Sequence, residues 1–495
     1  MKKGVRSTHK DYDAMAPLWE RCADVAAGTE ALRRKTTQYL PKLTDETNDE
    51  YEARLNRTTL YNATWRTIVG FLGLLFRKPA VIDVPESVQP LMDDVTLNGV
   101  PLRLFAAEVS EALLVKGRLG IWVNFPAVPD GLTRADVEAL NLRPSMSLYC
   151  AESIRNWRCD RVMNRTVLSQ VILHEEYEER ETEFDTKCVD RYRVLDLTRE
   201  DASGAPLDQF VYRIRVFEVR RNANGEGEED VMVEGPFYPL MNGKPLNFIP
   251  FYFISPDDTT PEVDIPPFVD LVDVNLSHYR ATADYEHGCH WSGIPTVVIT
   301  GHTLGEGESI RVGGAAALVF PDPMANAQML EVGTGGFTAL EKNLDRKEAQ
   351  MVVLGARLLE VQKPGIEAAE TALIHRSGEQ SILASISQTI STGITEALKV
   401  FVAWAGAPSE KAAFILNRDF FHTPMPAEMI NAMVKSWQSK AISFETLFEN
   451  LKKGELYQPD AKVEEEKKRI EDGAPMLPQP AAPAAPADGA KSALN

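Results

Sequence analysis

Two stretches of sequence decide the architecture of this protein. Residues 267–290 read PFVDLVDVNLSHYRATADYEHGCH, and residues 338–360 read TALEKNLDRKEAQMVVLGARLLE. In both stretches apolar residues recur every three or four positions, which is the spacing of an amphipathic helix. At 1.5 Å per residue each helix would be roughly 35 Å long. Residues 291–337 between them are glycine-rich and β-prone, so the sequence predicts two matched helices that bracket a small β module.

The chain after the second helix is predicted to be largely helical. Residues 361–369 contain the breaker Lys363-Pro364-Gly365 and are expected to form a loop. A long helix is predicted over 370–405, with apolar residues at every fourth position. These are Ile382, Ile386, Ile390, Ile394, Leu398 and Val402. Shorter helices are expected within 406–472, and the Ala/Pro-rich residues 473–495 lack the means to build a core.

The chain before the first helix combines helices with strands. Residues 11–78 and about 101–116 show helical periodicity, and a helix start is predicted at Thr47 or Asn48, whose side chains suit a cap. From about 145 to 255 the segments become rich in β-branched and aromatic residues, separated by turn clusters. The sequence therefore predicts an α+β protein with a mainly antiparallel sheet region.

Composition excludes several classes of function. The chain has 495 residues and a formal net charge of -19, which disfavours a protein that wraps nucleic acid through Lys and Arg. Its five cysteines form no CxxC pair, which favours a reducing compartment over a disulfide scaffold. The most apolar short run, 68–76, is far shorter than the roughly 20 residues that span a bilayer.

The sequence offers little support for an enzyme. No GxxxxGK[ST] loop is present, so we expect no ATP-driven motor. His287, Cys289 and His290, with His278 and Glu286 nearby, are the best metal candidates, but they lack recognisable ligand spacing. The acidic run 175–183 contains carboxylates that could act in acid–base catalysis, although a solvent-exposed surface with salt bridges is favoured. We therefore expect no catalytic residue, no metal and no cofactor, with a metal-dependent hydrolase as the enzymatic alternative.

A series of short motifs resembles the portal proteins of tailed bacteriophages, the head-to-tail connector family. The motifs are Tyr39–Pro41, Tyr51–Arg54, Gly73–Pro79, Gly117–Pro126, Tyr149–Trp157, Asn275–Arg280, Ala283–His287, Leu354–Leu359, Glu370–Ala372 and Ala441–Leu447. Their order covers residues 11–472, and the specificity lies in that order rather than in any one motif.

The resemblance implies a portal fold with wing, stem, clip and crown. Its segments would be the wing (1–265), stem helix 1 (266–290), the clip (291–337), stem helix 2 (338–360), a tunnel loop (361–369), a long helix returning to the wing (370–405), crown-side helices (406–472) and a disordered tail (473–495).

The resemblance also implies a function and a set of partners. Portal proteins form a dodecameric ring at the portal vertex of the head, through which the genome is packaged and ejected. Expected partners are further copies of the chain, the terminase large subunit, a head–tail adaptor, the major capsid or scaffolding protein and double-stranded DNA passing through the channel. The expected location is the virion, and the host cytoplasm during assembly, with no membrane partner. Another virion structural protein, such as an adaptor or a minor capsid protein, is the alternative.

Four residues are candidates for contact with DNA in such a channel. Asp270, Asp273 and Asp284 make the first helix acidic, and an acidic wall would repel phosphate and let DNA slide. Lys363 in the tunnel loop would touch passing phosphates, or would simply lie in solvent as most lysines do. The apolar stripe of the first helix is expected to pack sideways against copies of itself in the ring.

Overall fold

The computed structural model describes most of the chain. The described residues are 4–126, 139–162, 164–201, 203–221, 228–293, 296–301, 324–330, 335–355, 369–418, 420, 425, 427–454, 456–457 and 461–473. The predicted tunnel loop with Lys363, most of the predicted clip and the predicted disordered tail lie outside them. The chain divides into two compact units, Met1–Phe420 and Phe421–Asn495.

Helices come first in the chain. They are α1 (Lys10–Ala27), α2 (Thr29–Arg34), α3 (Asn48–Arg57), α4 (Ala63–Leu75) and α5 (Leu102–Lys116). Helix α3 begins with a capping box in which Thr47 accepts from the Glu50 backbone and Glu50 accepts from the Thr47 backbone, which confirms one of the two predicted caps. Buried Arg54 in α3 donates to both carboxylate oxygens of Glu46 at 2.7 and 2.8 Å, which fixes the preceding loop on the helix.

Antiparallel strands follow. They are β1 (Val81–Asp83), β2 (Leu119–Asn124), β3 (Ser145–Cys150), β4 (Ile154–Val162), β5 (Arg165–Arg180), β6 (Thr186–Glu200), β7 (Pro206–Arg221), β8 (Glu228–Phe237), β9 (Leu240–Met241), β10 (Lys244–Pro245) and β11 (Phe251–Ile254). Strands β4 to β8 form a five-stranded sheet in chain order, and β11–β2–β3 form a smaller sheet. Together with the helices they confirm the α+β class.

The remaining elements contain the stretches quoted first. They are α6 (Val269–Gly293), β12 (Thr296–Thr300), β13 (Asn326–Leu330), α7 (Gly335–Leu354), α8 (Ala369–Trp404), β14 (Ala413–Ile415), α9 (Ala427–Gln438), α10 (Phe444–Lys453) and α11 (Val463–Gly473). Helix α6 begins and ends two or three residues later than predicted. Strand β14 pairs with β1, so residues 413–415 belong to the first unit although the predicted crown begins at 406.

The apolar stripe of α6 is buried inside its own chain. Val272, Leu276, Tyr279 and Ala283 join a core cluster whose other members come from the N-terminal helices and from the loops after α2 and α3. They are Cys22, Val25, Leu32, Tyr39, Leu40, Tyr51, Leu55 and Leu60. The expectation that this stripe packs against copies of itself is therefore corrected, because the N-terminal helices already supply the apolar surface that covers it.

Helix α8 contacts β2 and β11 of the smaller sheet, and its apolar residues are part of the core. Ile386, Ile390, Ile394, Leu398 and Val402 are buried, as their regular spacing predicts. The approach is close at Gly393, where an added Cβ would lie 2.4 Å from Ile254 Cδ1. Ile382, at the start of the same series, is 58% exposed.

The second unit has a small core of its own. Leu447 and Phe448 of α10 are buried, and the Phe448 ring lies 4.6 Å from that of Tyr457. Ser443 caps α10 by accepting from the Thr446 backbone. Lys467 of α11 pairs with Glu445 of α10.

A buried asparagine joins α6 to α4. Asn275 Oδ1 accepts from the Thr64 backbone N–H at 3.1 Å and from Thr64 Oγ1 at 2.9 Å, and Asn275 Nδ2 donates to the Tyr61 carbonyl at 2.8 Å. Thr64 lies in the first turn of α4, where backbone N–H groups have no partner within the helix. Asn275 of α6 therefore provides a hydrogen-bond acceptor for a backbone N–H at the start of α4.

Replacing Asn275 with Ala should destabilise the fold. The change removes the acceptor of the buried Thr64 N–H and hydroxyl and one donor to the Tyr61 carbonyl, and a buried donor left without a partner costs about 1–3 kcal/mol. Chemical denaturation of Asn275→Ala should show that loss, while the matched change Asn343→Ala, at an exposed position of α7, should stay within about 0.5 kcal/mol of the parent. Equal unfolding free energies for the two variants would contradict the role of Asn275.

Candidate channel and assembly arm

Helices α6 and α7 and strands β12 and β13 form one antiparallel hairpin, here called the arm (residues 269–293, 296–300, 326–330 and 335–354). Near its base, an added Cβ on Gly355 would lie 2.8 Å from Leu271 Cδ2. Farther along, Lys347 Nζ donates to Ser277 Oγ at 2.6 Å. The strands continue this register beyond the helices, with Thr296 opposite Leu330. The two long helices predicted from the sequence thus lie directly against each other in one chain.

The seam between α6 and α7 is partly polar. Tyr285 of α6 donates to Glu341 Oε1 of α7 at 2.9 Å, and its ring packs edge-on against Phe337. A second pair lies farther along the seam, where His278 Nε2 of α6 is 3.5 Å from Glu348 Oε1 of α7. His278 precedes Tyr285 by seven residues, and Glu348 follows Glu341 by seven. Seven-residue spacing on both helices is the pattern of a coiled-coil seam. Both carboxylates are exposed, so these pairs lie at the margin of the contact between the two helices.

Burial and hydrogen bonding shift the pKa values of two seam residues. The pKa of His278 is lowered, chiefly because its ring is buried, although the nearby Glu348 carboxylate acts in the opposite direction. The hydrogen bond to Glu341 raises the pKa of Tyr285 to about 12. The seam is therefore expected to hold a neutral histidine and a neutral tyrosine at pH 7.

The lowered pKa of His278 predicts that the fold loses stability in mild acid. Below the usual histidine pKa of 6.5 the unfolded chain takes up a proton that the folded chain resists, so the free energy of unfolding falls with pH through that window. Chemical denaturation at pH 7.5 and 5.5 should show a smaller loss for His278→Gln than for the parent. Tyr285→Phe, a seam variant that retains His278, should keep the parental loss, and identical losses in all three proteins would refute the assignment.

The three candidate aspartates share one exposed face of α6. Asp273 and Asp284 follow Asp270 by three and fourteen residues, which places the three within about 60° around the helix. All three are exposed. Arg21 of α1 lies 3.4 Å from Asp273 and compensates part of this charge. Lys363, the fourth candidate, lies outside the described residues, so the structure brings together the acidic candidates alone.

The alternative chemical sites gain no geometric support. Among the described residues, no group of three or more His, Cys, Asp or Glu side chains is placed to hold a metal ion. The acidic run 175–183 extends along β5 into the β5–β6 hairpin, and all of 177–183 is exposed. Glu175 differs, because Arg193 donates to it at 2.6 and 2.9 Å. None of the described helices is long and apolar enough to cross a bilayer.

Sequence reasoning missed the polar seam and the role of Asn275. The seven-residue intervals from His278 to Tyr285 and from Glu341 to Glu348 were the available signal for the seam. Asn275 offered no comparable signal, because a polar residue on an apolar stripe does not reveal which backbone groups it will meet.

A family model described as "Domain of unknown function (DUF4055)" matches residues 267–405, which hold the arm and α8. No curated protein matches.

Three solved structures share distant similarity with the chain. "Neck of empty GTA particle computed with C6 symmetry" is 9% identical, covers 83% of this chain and 90% of its own, and has a TM-score of 0.34. "Virion of native gene transfer agent (GTA) particle" is 10% identical with the same coverages and a TM-score of 0.34. "Neck of native GTA particle computed with C12 symmetry" is 9% identical, again with these coverages, and has a TM-score of 0.33. TM-scores of this size do not establish a shared fold.

Proposed function

We propose that this protein is a portal subunit of a tailed-phage-like particle. Copies of the chain would form a ring, twelve-membered as the resemblance implies, at the portal vertex of the head. The ring would be the channel for packaging and ejection and would dock the terminase and the head–tail adaptor. The proposal assigns it no catalytic chemistry, no cofactor and no membrane contact.

The observation that carries the proposal is the arm. Its two long helices run antiparallel and end in a two-stranded ribbon, in the segment where the motif series places stem and clip. Helix α6 is anchored to the N-terminal helices on one side and presents exposed aspartates on another. A rigid rod with an acidic face is suited to line a passage through which a polyanion moves without adhering.

The ring itself is the first test. Negative-stain images of the purified full-length chain should show closed rings with a central channel, and class averages should count the subunits. Compact monomers at every concentration, in images and in sedimentation, would refute the portal assignment. Rings whose channel is too narrow for duplex DNA would favour a different virion structural protein.

Reversing the acidic face should make the channel hold DNA. The triple variant Asp270→Lys, Asp273→Lys, Asp284→Lys turns three phosphate-repelling groups into three that attract phosphate. Affinity of assembled rings for linear duplex DNA should rise, and the logarithmic dependence of that affinity on salt should steepen by about 0.9 for each phosphate newly contacted.

The control makes the same change of charge elsewhere. Glu178, Glu181 and Glu183 are exposed on the β5–β6 hairpin, and their replacement by Lys raises the net charge of the chain by the same six units. Binding measured by fluorescence anisotropy across a salt series should change less for this variant. Equal gains for both triple variants would show that net charge, and not the face of α6, governs DNA contact.

A further inference from the structure

Among the described residues, the ribbon at the end of the arm has two edges without a strand partner. Strands β12 and β13 pair residue for residue over five positions, from Thr296–Leu330 to Thr300–Asn326. Within the part of the chain that the structure describes, neither strand pairs with any other. In an antiparallel pair, about half of the backbone N–H and C=O groups of each strand point away from the partner. A two-stranded ribbon on its own is only marginally stable in water.

Neither edge has the usual protection against further pairing. Residues 296–300 read TVVIT and residues 326–330 read NAQML, with no charged residue and no proline. Natural edge strands are commonly blunted by lysine, proline or a β-bulge, and the register between these two strands has no bulge. Val298 is 41% exposed and lies opposite exposed Gln328. The ribbon therefore has the composition of strands that are paired on both sides.

We propose that copies of this chain pair through these edges, so that β12 of one copy adds to β13 of the next. The inference rests on the ring of the proposed function and names the contact that closes it. Because copies in a ring share one direction, β12 and β13 alternate around it, and every junction is antiparallel like the hairpin itself. The result is one continuous sheet that encircles the channel.

A second copy fits these edges better than a foreign strand. The two edges lie on opposite sides of the ribbon, so a single strand from another protein would leave one edge open. A copy supplies the complement of each edge, and head-to-tail contacts of this kind close into rings. Each chain carries a net charge of -19, so copies repel each other, and their uncharged ribbons can approach at the least electrostatic cost.

Hydrogen exchange of the full-length chain measures the pairing directly. In assembled rings, the amides of residues 296–300 and 326–330 should all be protected, whereas in dilute monomer about half should exchange freely. Formation of the ring should slow the outward-facing amides roughly tenfold or more.

Charge variants of the ribbon provide an independent test. Val298→Lys with Gln328→Lys should abolish rings, because like charges would meet at every junction. The matched pair Gln350→Lys with Val353→Lys, at exposed positions of α7, adds the same charge to the arm and should leave rings intact. Mixing the Lys ribbon variant with a Val298→Glu, Gln328→Glu variant should restore rings. The rescue can come only from contacts between chains, because within each chain the like charges remain.

The outcomes separate this inference from the proposed function. Rings that form equally well from the Lys ribbon variant, with no added amide protection, would overturn the pairing and leave the portal assignment standing. A parent chain that stays monomeric with half of the ribbon amides exchanging freely would overturn both. Protection that appears only when a different protein is added would also overturn self-pairing.

Discussion

Burial of one side of α6 against the N-terminal helices is the constraint on which the arm depends. Val272, Leu276 and Tyr279 are removed from water by residues more than two hundred positions earlier in the chain. Each such burial is worth about 1.5–3 kcal/mol relative to an exposed side chain. A second side of the helix meets α7, and a third carries the exposed aspartates. One helix therefore carries the anchor, the hairpin contact and the charged surface.

Apolar burial alone would not fix the direction of the arm, since hydrophobic contact tolerates sliding and rotation. Polar contacts set the register. Asn275 meets the Thr64 backbone N–H in α4 and the Tyr61 carbonyl just before that helix, and a shift of one residue would leave the buried Thr64 N–H unsatisfied at a cost of about 1–3 kcal/mol. Lys347 and Glu341 of α7 meet Ser277 and Tyr285 in the same way. The polar seam thus holds α6 and α7 together less strongly than an apolar seam would, but it specifies their register more closely.

The sequence predicted the positions of the long helices to within a few residues, except at the end of α7, because periodicity of apolar residues records which face of a helix is buried. It did not predict what covers that face. The stripe of α6 was expected to meet other copies, and the competing surface of α1 and α3 was visible only as further amphipathic helices. The sequence did not show that β5 continues through the acidic run, because glutamates are uncommon in strands. Cross-strand pairs such as Glu175 with Arg193 extend it.

Electrostatics constrains how such a chain can assemble. At physiological ionic strength, charges farther apart than about 8 Å are largely screened, so the net charge of -19 opposes association chiefly where surfaces come close. Contacts between copies are then confined to surfaces that are neutral or already compensated. The ribbon is neutral by composition. The acidic face of α6, where Arg21 compensates Asp273 but Asp270 and Asp284 remain exposed, is poorly suited to a contact between copies and well suited to face a solvent-filled passage. The same distribution of charge therefore favours pairing through the ribbon and leaves the aspartates for the channel.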